Sequence, residues 1–475
     1  MRKVLPAHLV VAACAVGLAA SDAVRVHDPV GLALGGALAS VLVAPAGWGR
    51  VGLVAALALA TAWWWGSTRL DALDQSVLAP RIGTADRFVA VTTAEARAGA
   101  FDLRQMARVR GERAELALPL GRAPPQGARL SILAVVKAPR GPTHGFDERT
   151  WLRHQGVHVV LRADRWRTIG HRDGLGGIAD KLRALLARSI APGLHGERRG
   201  VIEGIVLGDE QALSPDLRQR FRASGLYHLL AVSGQNVALV VAGALALVWL
   251  IGLPRWIGHL AALGAIGGYV LAVGPQPSVV RAGVAGALVS LAWLSARASD
   301  RWYFLLLGAL ALLAWNPYDL LDAGFQLSFA AVAAIFVVVP RLLDLFEGYP
   351  LHRKLAAVVA VSTACGAVTA PILWLQFHAL PLVTVPANAF AELAVAPLLY
   401  LAFATALVGA VFPPAAAALA WVNGWCAAYL AACARSFGGL PGAQIRSDRA
   451  ALTLVSVLAA AAYAWRWWQS SPRST

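Results

Sequence analysis

The chain has 475 residues, of which 58% are hydrophobic and 14% charged, against about 25% charged in an ordinary soluble chain. The deficit runs through most of the length, which argues against one soluble domain around one core and for a large helical membrane domain. The net charge of +16 is concentrated: between Arg81 and Gly200 stand 22 Lys+Arg and 11 Asp+Glu, a net of +11. Such an excess fits a solvated basic surface or a phosphate-binding one. Cys14, Cys365, Cys426 and Cys433 all lie in apolar stretches without a CxxC pair, so no metal, redox chemistry or cofactor is expected.

In chain order, Met1-Arg2-Lys3 precedes an apolar run, Val4–Ala20. It has the form of a signal peptide, with Ala19–Ala23 as a passable cleavage region. Two further apolar runs, 29–46 and 50–66, follow closely, and three retained spans over residues 1–66 are expected. Arg2 and Lys3 place the N-terminus in the cytoplasm by the positive-inside rule, and three crossings put the next domain outside.

Residues 67–177 differ in kind. Short alternating stretches at 87–92, 104–110, 113–118, 128–137 and 157–166, punctuated by Gly and Pro, predict a small β-barrel or sandwich. A short helix is expected near Asp147–Gln155. The connector 178–223 opens with an amphipathic helix, Ile178–Ile190, with Leu182, Leu185 and Leu186 on one face.

The membrane domain, 224–470, contains apolar runs near 224–251, 256–273, 279–296, 302–315, 323–342, 355–376, 383–411, 415–434 and 449–467. Arg255, Arg297 with Arg301, and Arg341 with Arg353 and Lys354 mark cytoplasmic loops, whereas 274–278, 316–321 and 376–382 hold no Lys or Arg. Leu380–Phe412 is too long for one ordinary span: its 33 residues would cover about 50 Å, against about 30 Å of hydrocarbon. With Pro386 and Pro397 inside, a broken or re-entrant segment, or two short crossings, is expected.

Polar groups are costly in lipid, so each needs a partner or a task. Four clusters stand out: Tyr227, His228, Ser233, Gln235 and Asn236; Gln276, Ser278 and Arg281; Asp322, Gln326 and Ser328; and Asn388 with Glu392. Hydrogen bonding that fixes helix packing accounts for single Ser or Asn residues. Arg281, Asp322 and Glu392 together point instead to a polar pathway, with Arg281 paired to Asp322 or Glu392. An intramembrane serine protease is disfavoured, because Ala231-Val-Ser-Gly-Gln235 lacks the Gly-x-Ser-x-Gly elbow and His228 is five residues from Ser233. Neither a Walker A string nor a His-x-His-x-Asp-His string is present.

The string from Leu207-Gly-Asp209 through Ser214-Pro-Asp-Leu217, Phe221, Gly225-Leu-Tyr-His228 and Ser233-Gly-Gln-Asn236 closely resembles the signature of ComEC-type competence proteins. The likeness continues in Pro277-Ser-Val-Val-Arg281-Ala282, in Asn316-Pro317, in Asp322-Ala-Gly-Phe-Gln-Leu-Ser-Phe329 and from Pro381 to Asn388, with Pro397 beyond. Gly145-Phe-Asp147 through Trp151 to Gly156 is similar to the end of that family's soluble domain. The resemblance implies an OB-like soluble domain and an inner-membrane channel passing single-stranded DNA during natural transformation, without catalysis of its own. The implied fold is a polytopic α-helical membrane protein of about 10–13 spans with an inserted small β-rich, OB-like domain. His228, Ser233, Gln235, Asn236, Arg281, Asp322, Gln326, Ser328, Asn388 and Glu392 become candidates for the DNA pathway. Arg104, Arg108, Arg110, Arg129, Lys137, Arg162 and Trp166 become candidates for DNA contact on the soluble domain, with Phe88, Phe101 and Trp151 as further aromatic platforms. Many family members add a metallo-β-lactamase-like nuclease domain; here the sequence ends at Thr475, so a separate nuclease is expected. A cytoplasmic motor or DNA-binding protein, the lipid bilayer and a homo-oligomer complete the expected partners. A small-solute or lipid transporter sharing the membrane fold is the alternative.

Overall fold

The computed structural model describes residues 6–29, 49–99, 101–121, 123–142, 147–274, 276–295, 300–350 and 352–450, with 31, 35, 36 and 453 besides. The spans expected at 29–46 and 449–467 lie almost wholly outside them. The chain forms two compact units. One takes the chain up to Ser189 together with Val232–Phe325, and the other takes Ile190–Ala231 and the chain from Gln326 onward.

The first unit opens with two helices, α1 (Pro6–Ala23) and α2 (Gly49–Asp74), packed backbone to backbone. A Cβ on Gly17 would lie 2.3 Å from the Leu59 carbonyl oxygen, and one on Gly66 would strike Ser21. Small residues at such crossings let spanning helices approach where no hydrophobic force between them exists.

The β-rich domain follows: β1 (Ala85–Thr92), β2 (Arg97–Ala98), β3 (Leu103–Val109), β4 (Glu112–Leu118), β5 (Ala128–Lys137), helix α3 (Glu148–His154) and β6 (Val157–His171). Strict alternation builds it; β5 is buried at every second residue. β1 pairs with both β3 and β5, so the sheet closes through the order β1-β3-β4-β6-β5-β1. All five contacts are antiparallel except β4 with β6. Phe88, Leu116, Leu130, Ile132 and Leu161 fill the interior. The strand expected at 104–110 ends one residue early. Val109 pairs with Glu112 across Arg110 and Gly111, both at positive φ, the requirement of a two-residue type I′ hairpin. Asp147 caps α3 by accepting from the Arg149 and Thr150 amides.

The expected amphipathic helix is α4 (Gly174–Ser189), which packs Leu182 toward Gly268. The rest of this unit is α7 (Gly234–Leu250), α8 (Arg255–Val273), α9 (Pro277–Leu294) and α10 (Arg301–Trp315). Gly258, Gly283 and Gly286 sit under neighbouring Leu, Ile and Val side chains. The span expected from residue 224 is corrected: Tyr227–Leu229 is a 3₁₀ turn and the helix starts only at Gly234. Gly225 (φ 77°) stops the preceding helix, because a left-handed residue cannot continue it.

The second unit holds α5 (Gly196–Leu207) and α6 (Pro215–Ala223), then α11 (Ala323–Phe346), α12 (Arg353–Phe377), α13 (Thr384–Gly409) and α14 (Pro413–Gly438). The expectation of a broken segment at Leu380–Phe412 is overturned. Leu380 and Pro381 form β7, paired with β8 (Gln444–Ile445), and α13 then runs unbroken for 26 residues. Pro386 falls in its first turn, where amides have no helical partner. Pro397 is accommodated inside, and a helix of about 39 Å fits the bilayer by tilting.

Among the described residues seven helices are long and apolar enough to cross a membrane, and three shorter apolar helices, α7, α9 and α10, accompany them. The chain is therefore a polytopic helical membrane protein carrying a β-rich domain.

Candidate functional site

In the first unit, the sequence cluster at Ser233–Asn236 meets the one at Ser278–Arg281. Ser233 stands at the N-cap of α7, and its hydroxyl donates to Asn236 Oδ1 at 3.2 Å. Asn236, 3% exposed, donates from Nδ2 to the Tyr269 hydroxyl at 3.4 Å. The Ser278 hydroxyl donates to the Val232 carbonyl at 2.6 Å, which ties the start of α9 to the turn before α7.

Arg281 is 9% exposed, one turn further along α9. Its stem passes α10 where Gly308 leaves room, a Cβ there lying 3.2 Å from Arg281 Cγ. Its guanidinium lies beside Gly234, a Cβ on which would be 3.5 Å from Nη2. The cation thus lies at the N-terminus of α7, which is itself partly positive. Both elements have the sign that a phosphate requires. Sequence reading missed Tyr269, because one hydroxyl in an apolar helix gives no local signal.

The remaining pathway candidates are dispersed. Gln235 is half-buried on the first turn of α7. Asp322 is exposed and accepts from the Phe325 amide at 3.0 Å, capping α11. Of the two carboxylates expected as partners of Arg281, Asp322 is thus engaged at the helix end. In the second unit, Gln326 Oε1 accepts from Gln376 at 3.2 Å, and Asn388 donates to Ser362 at 3.3 Å. Ser328 is half-buried, and Glu392 is exposed on α13. His228 is exposed with Nδ1 2.9 Å from the Gly225 carbonyl, and Tyr227 donates to Glu210 at 2.7 Å.

On the barrel, Arg104 is committed to three carboxylates: Asp102 at 3.0 Å, Glu115 at 2.5 Å and Glu148 at 3.3 Å. Burial still pushes the Glu115 carboxyl above its usual range. Arg110 lies over the Phe88 ring and 3.6 Å from Asp86. Phe88 is interior, and Trp166 is half-buried with one side against the same core. Arg108 and Arg129 are exposed. Lys137 and Arg162 are exposed on the rim of a cavity of about 460 Å³, together with Phe101, which is 89% exposed. Three further outward arginines, Arg87, Arg165 and Arg167, were not singled out from sequence, although strand parity marks them.

A junction unforeseen in the sequence joins the barrel to the spans of the first unit. Asp74 accepts from Arg25, from Arg153 at 2.7 and 2.8 Å, and from Tyr318 at 3.0 Å. His154 stacks on Tyr318, and the Asn316 amide donates to the His154 carbonyl at 3.0 Å. These hydrogen bonds engage both oxygens of the Asp74 carboxylate. Nearby Asp319 is pushed up to about 7, by burial and then by the charge of Asp322.

A basic barrel on a helical membrane domain with a buried arginine among hydroxyls and amides defines a polytopic membrane protein with a basic β-barrel domain. Residues 205–472, more than half of the chain, match the family described as Competence protein, and the chain belongs to that family. It is similar to ComE operon protein 3 of Bacillus subtilis, 29% identical over 195 residues, covering 40% of this chain and 24% of that one. It is also similar to competence protein ComA of Neisseria gonorrhoeae, 28% identical over 281 residues, 55% of this chain and 39% of that one. Protein YcaI of Escherichia coli, which is uncharacterized, is 29% identical over 201 residues, 40% of this chain and 26% of that one. The matches thus span well under half of these relatives' lengths. No solved structure matches the chain.

Proposed function

We propose that this chain is the channel part of a DNA-uptake system, passing a single strand across the cytoplasmic membrane with no catalysis of its own. The observation that carries the reading is Arg281, a cation 9% exposed at the positive end of α7. A cation beside a helix N-terminus makes a locally positive site, and its sign matches that of a phosphate backbone. Membership of the competence family supports DNA as the cargo. The barrel's closed order, with its single parallel pair between β4 and β6, supports the OB-like reading. Arginines at one set of helix ends, 255, 301, 341 and 353, support a cytoplasmic N-terminus and a barrel on the outer face of the inner membrane. A separate nuclease and a cytoplasmic motor or DNA-binding protein would complete the machinery.

The test is transformation frequency after chromosomal replacement. Arg281→Ala and Asn236→Ala are each expected to reduce it at least about tenfold, equivalent to about 1.4 kcal/mol, with membrane levels of the protein unchanged. Arg281→Lys should retain part of it. A clean deletion that leaves transformation intact overturns the reading.

A further inference from the structure

Five-stranded barrels of this order commonly take oligonucleotides across the face formed here by β3 and β4. In this protein that face is covered. α3 lies over it, packing Leu152 with Ala117, Val157, Val160 and Met106. Of its cations, Arg104 is held among Asp102, Glu115 and Glu148, Arg113 donates to the Gln155 carbonyl, and Arg108 stands exposed opposite Arg113 at the hairpin end.

The outward side of β1, β5 and β6 is different. Register sets three rows across it: Arg87–Leu133–Arg165, Val89–Ser131–Arg167 and Val91–Arg129–Gly170. Rows of this kind lie about 7 Å apart along the strands. All four arginines are exposed, and among the described residues none of them forms an ion pair. Asp86 of β1 is engaged by Arg81 and Arg110. Asp164 sits at the bulge where the β5–β6 register shifts, so the face keeps an excess of positive charge. Leu133, 55% exposed, lies between Arg87 and Arg165 in the first row. No aromatic side chain joins these rows, because Phe88 and Trp166 belong to the interior parity.

We propose that this β1–β5–β6 face is where the barrel holds nucleic acid, and that it grips the phosphate backbone by charge without stacking on bases. The inference rests on the DNA-uptake reading. Charge-only contact does not need unstacked bases, so single strands and duplexes bind alike and base composition has little effect.

The experiment uses the full chain in nanodiscs of zwitterionic phosphatidylcholine, with fluorescence anisotropy of a labelled oligonucleotide of about 20 nucleotides, longer than one such fold's usual site. For single strands, Arg87→Ala/Arg165→Ala/Arg167→Ala should weaken binding and flatten the log–log salt slope by about 2. The corresponding triple lysine variant should restore the slope, which excludes misfolding. Lys137→Ala/Arg162→Ala at the cavity rim should change it less. An unchanged slope in the triple alanine variant, or a strong preference for single strands that is lost with Phe101→Ala, overturns the face assignment while leaving DNA binding in place. No oligonucleotide binding by the unaltered chain removes both the assignment and the receiving role. Arginine-dependent flotation with anionic vesicles in place of oligonucleotide binding makes the face a lipid surface and also overturns it.

Discussion

β5 buries every second residue from Ala128 to Val136, whereas α9 carries one charge, Arg281, in an otherwise apolar helix. The two elements show how differently the barrel and the membrane domain are specified. In the barrel, water on one side and a core on the other make each position's polarity informative. In the spanning helices both lipid and protein interior accept apolar residues, so apolarity says little about which face is buried. There the informative residues are the glycines that let backbones touch, such as Gly17 and Gly66, and the few polar groups. A change of volume should therefore matter most in the barrel, and a change of charge most where the barrel meets the spans.

The largest effect separates the two regions directly. Leu116 is fully buried inside the barrel, while Leu375 is exposed on α12. Leu116→Ala should destabilise the barrel by about 2–5 kcal/mol through lost burial and the cavity left behind. Leu375→Ala should cost less than about 0.5 kcal/mol. Thermal unfolding of the purified protein followed by near-ultraviolet circular dichroism measures both. Equal effects would mean that the barrel core is no better packed than a lipid-facing surface.

The next effect lies at the junction. Asp74→Asn keeps the shape but leaves Arg25 and Arg153 without their shared carboxylate. A cost of about 2–3 kcal/mol is expected, read as a lower melting temperature and faster tryptic cleavage at Arg81. Asp71→Asn, at a more exposed pair with Arg25, should cost less. If the two variants behave alike, the junction is an ordinary surface network.

Much of this architecture was legible in the residues, and the parts that were not share a cause. The strands, α3 and α4 follow from local periodicity and capping, which depend on near neighbours. The stop after α6 depends on Gly225 adopting positive φ, which the apolar run that follows conceals. The Asp74 node gathers Arg25, Arg153 and Tyr318 from distant points of the chain, and local patterns cannot pair residues so far apart. Within the candidate site, Arg281 and Asn236 are polar groups in apolar runs and so are marked in sequence, but the bond from Asn236 to Tyr269 is tertiary. Asp322 caps α11, a role that its place beside an apolar run leaves unmarked in sequence.

Asp319 gives a smaller effect with a defined sign. Its carboxyl is raised to about 7 in the fold from an ordinary value near 3.9. The contribution of such a group is fully present below the unfolded value and is lost as pH rises to about 7, with no further change above. Asp319→Asn, which cannot ionise but can still accept from Asn316, should remove this slope. After allowance for solvent screening, a gain of about 1–2 kcal/mol over the unaltered protein is expected at pH about 8. The gain should vanish below pH about 4. Melting curves across that range decide it, and a gain confined to acid pH would reverse the assignment.

The smallest effect concerns the two prolines of α13. If Pro386 broke a span, its replacement would let a different helix form and would change the protein substantially. In the continuous helix it occupies the first turn, where a missing amide removes no hydrogen bond and a fixed φ is already helical. Pro386→Ala should therefore shift stability by less than about 0.5 kcal/mol. Pro397 lies inside the helix, where its ring leaves a carbonyl one turn earlier without its usual amide. Pro397→Ala should produce the larger shift of the two, read as melting temperature in the same detergent. A larger effect at Pro386 would return the segment to the broken form that its length and prolines suggest.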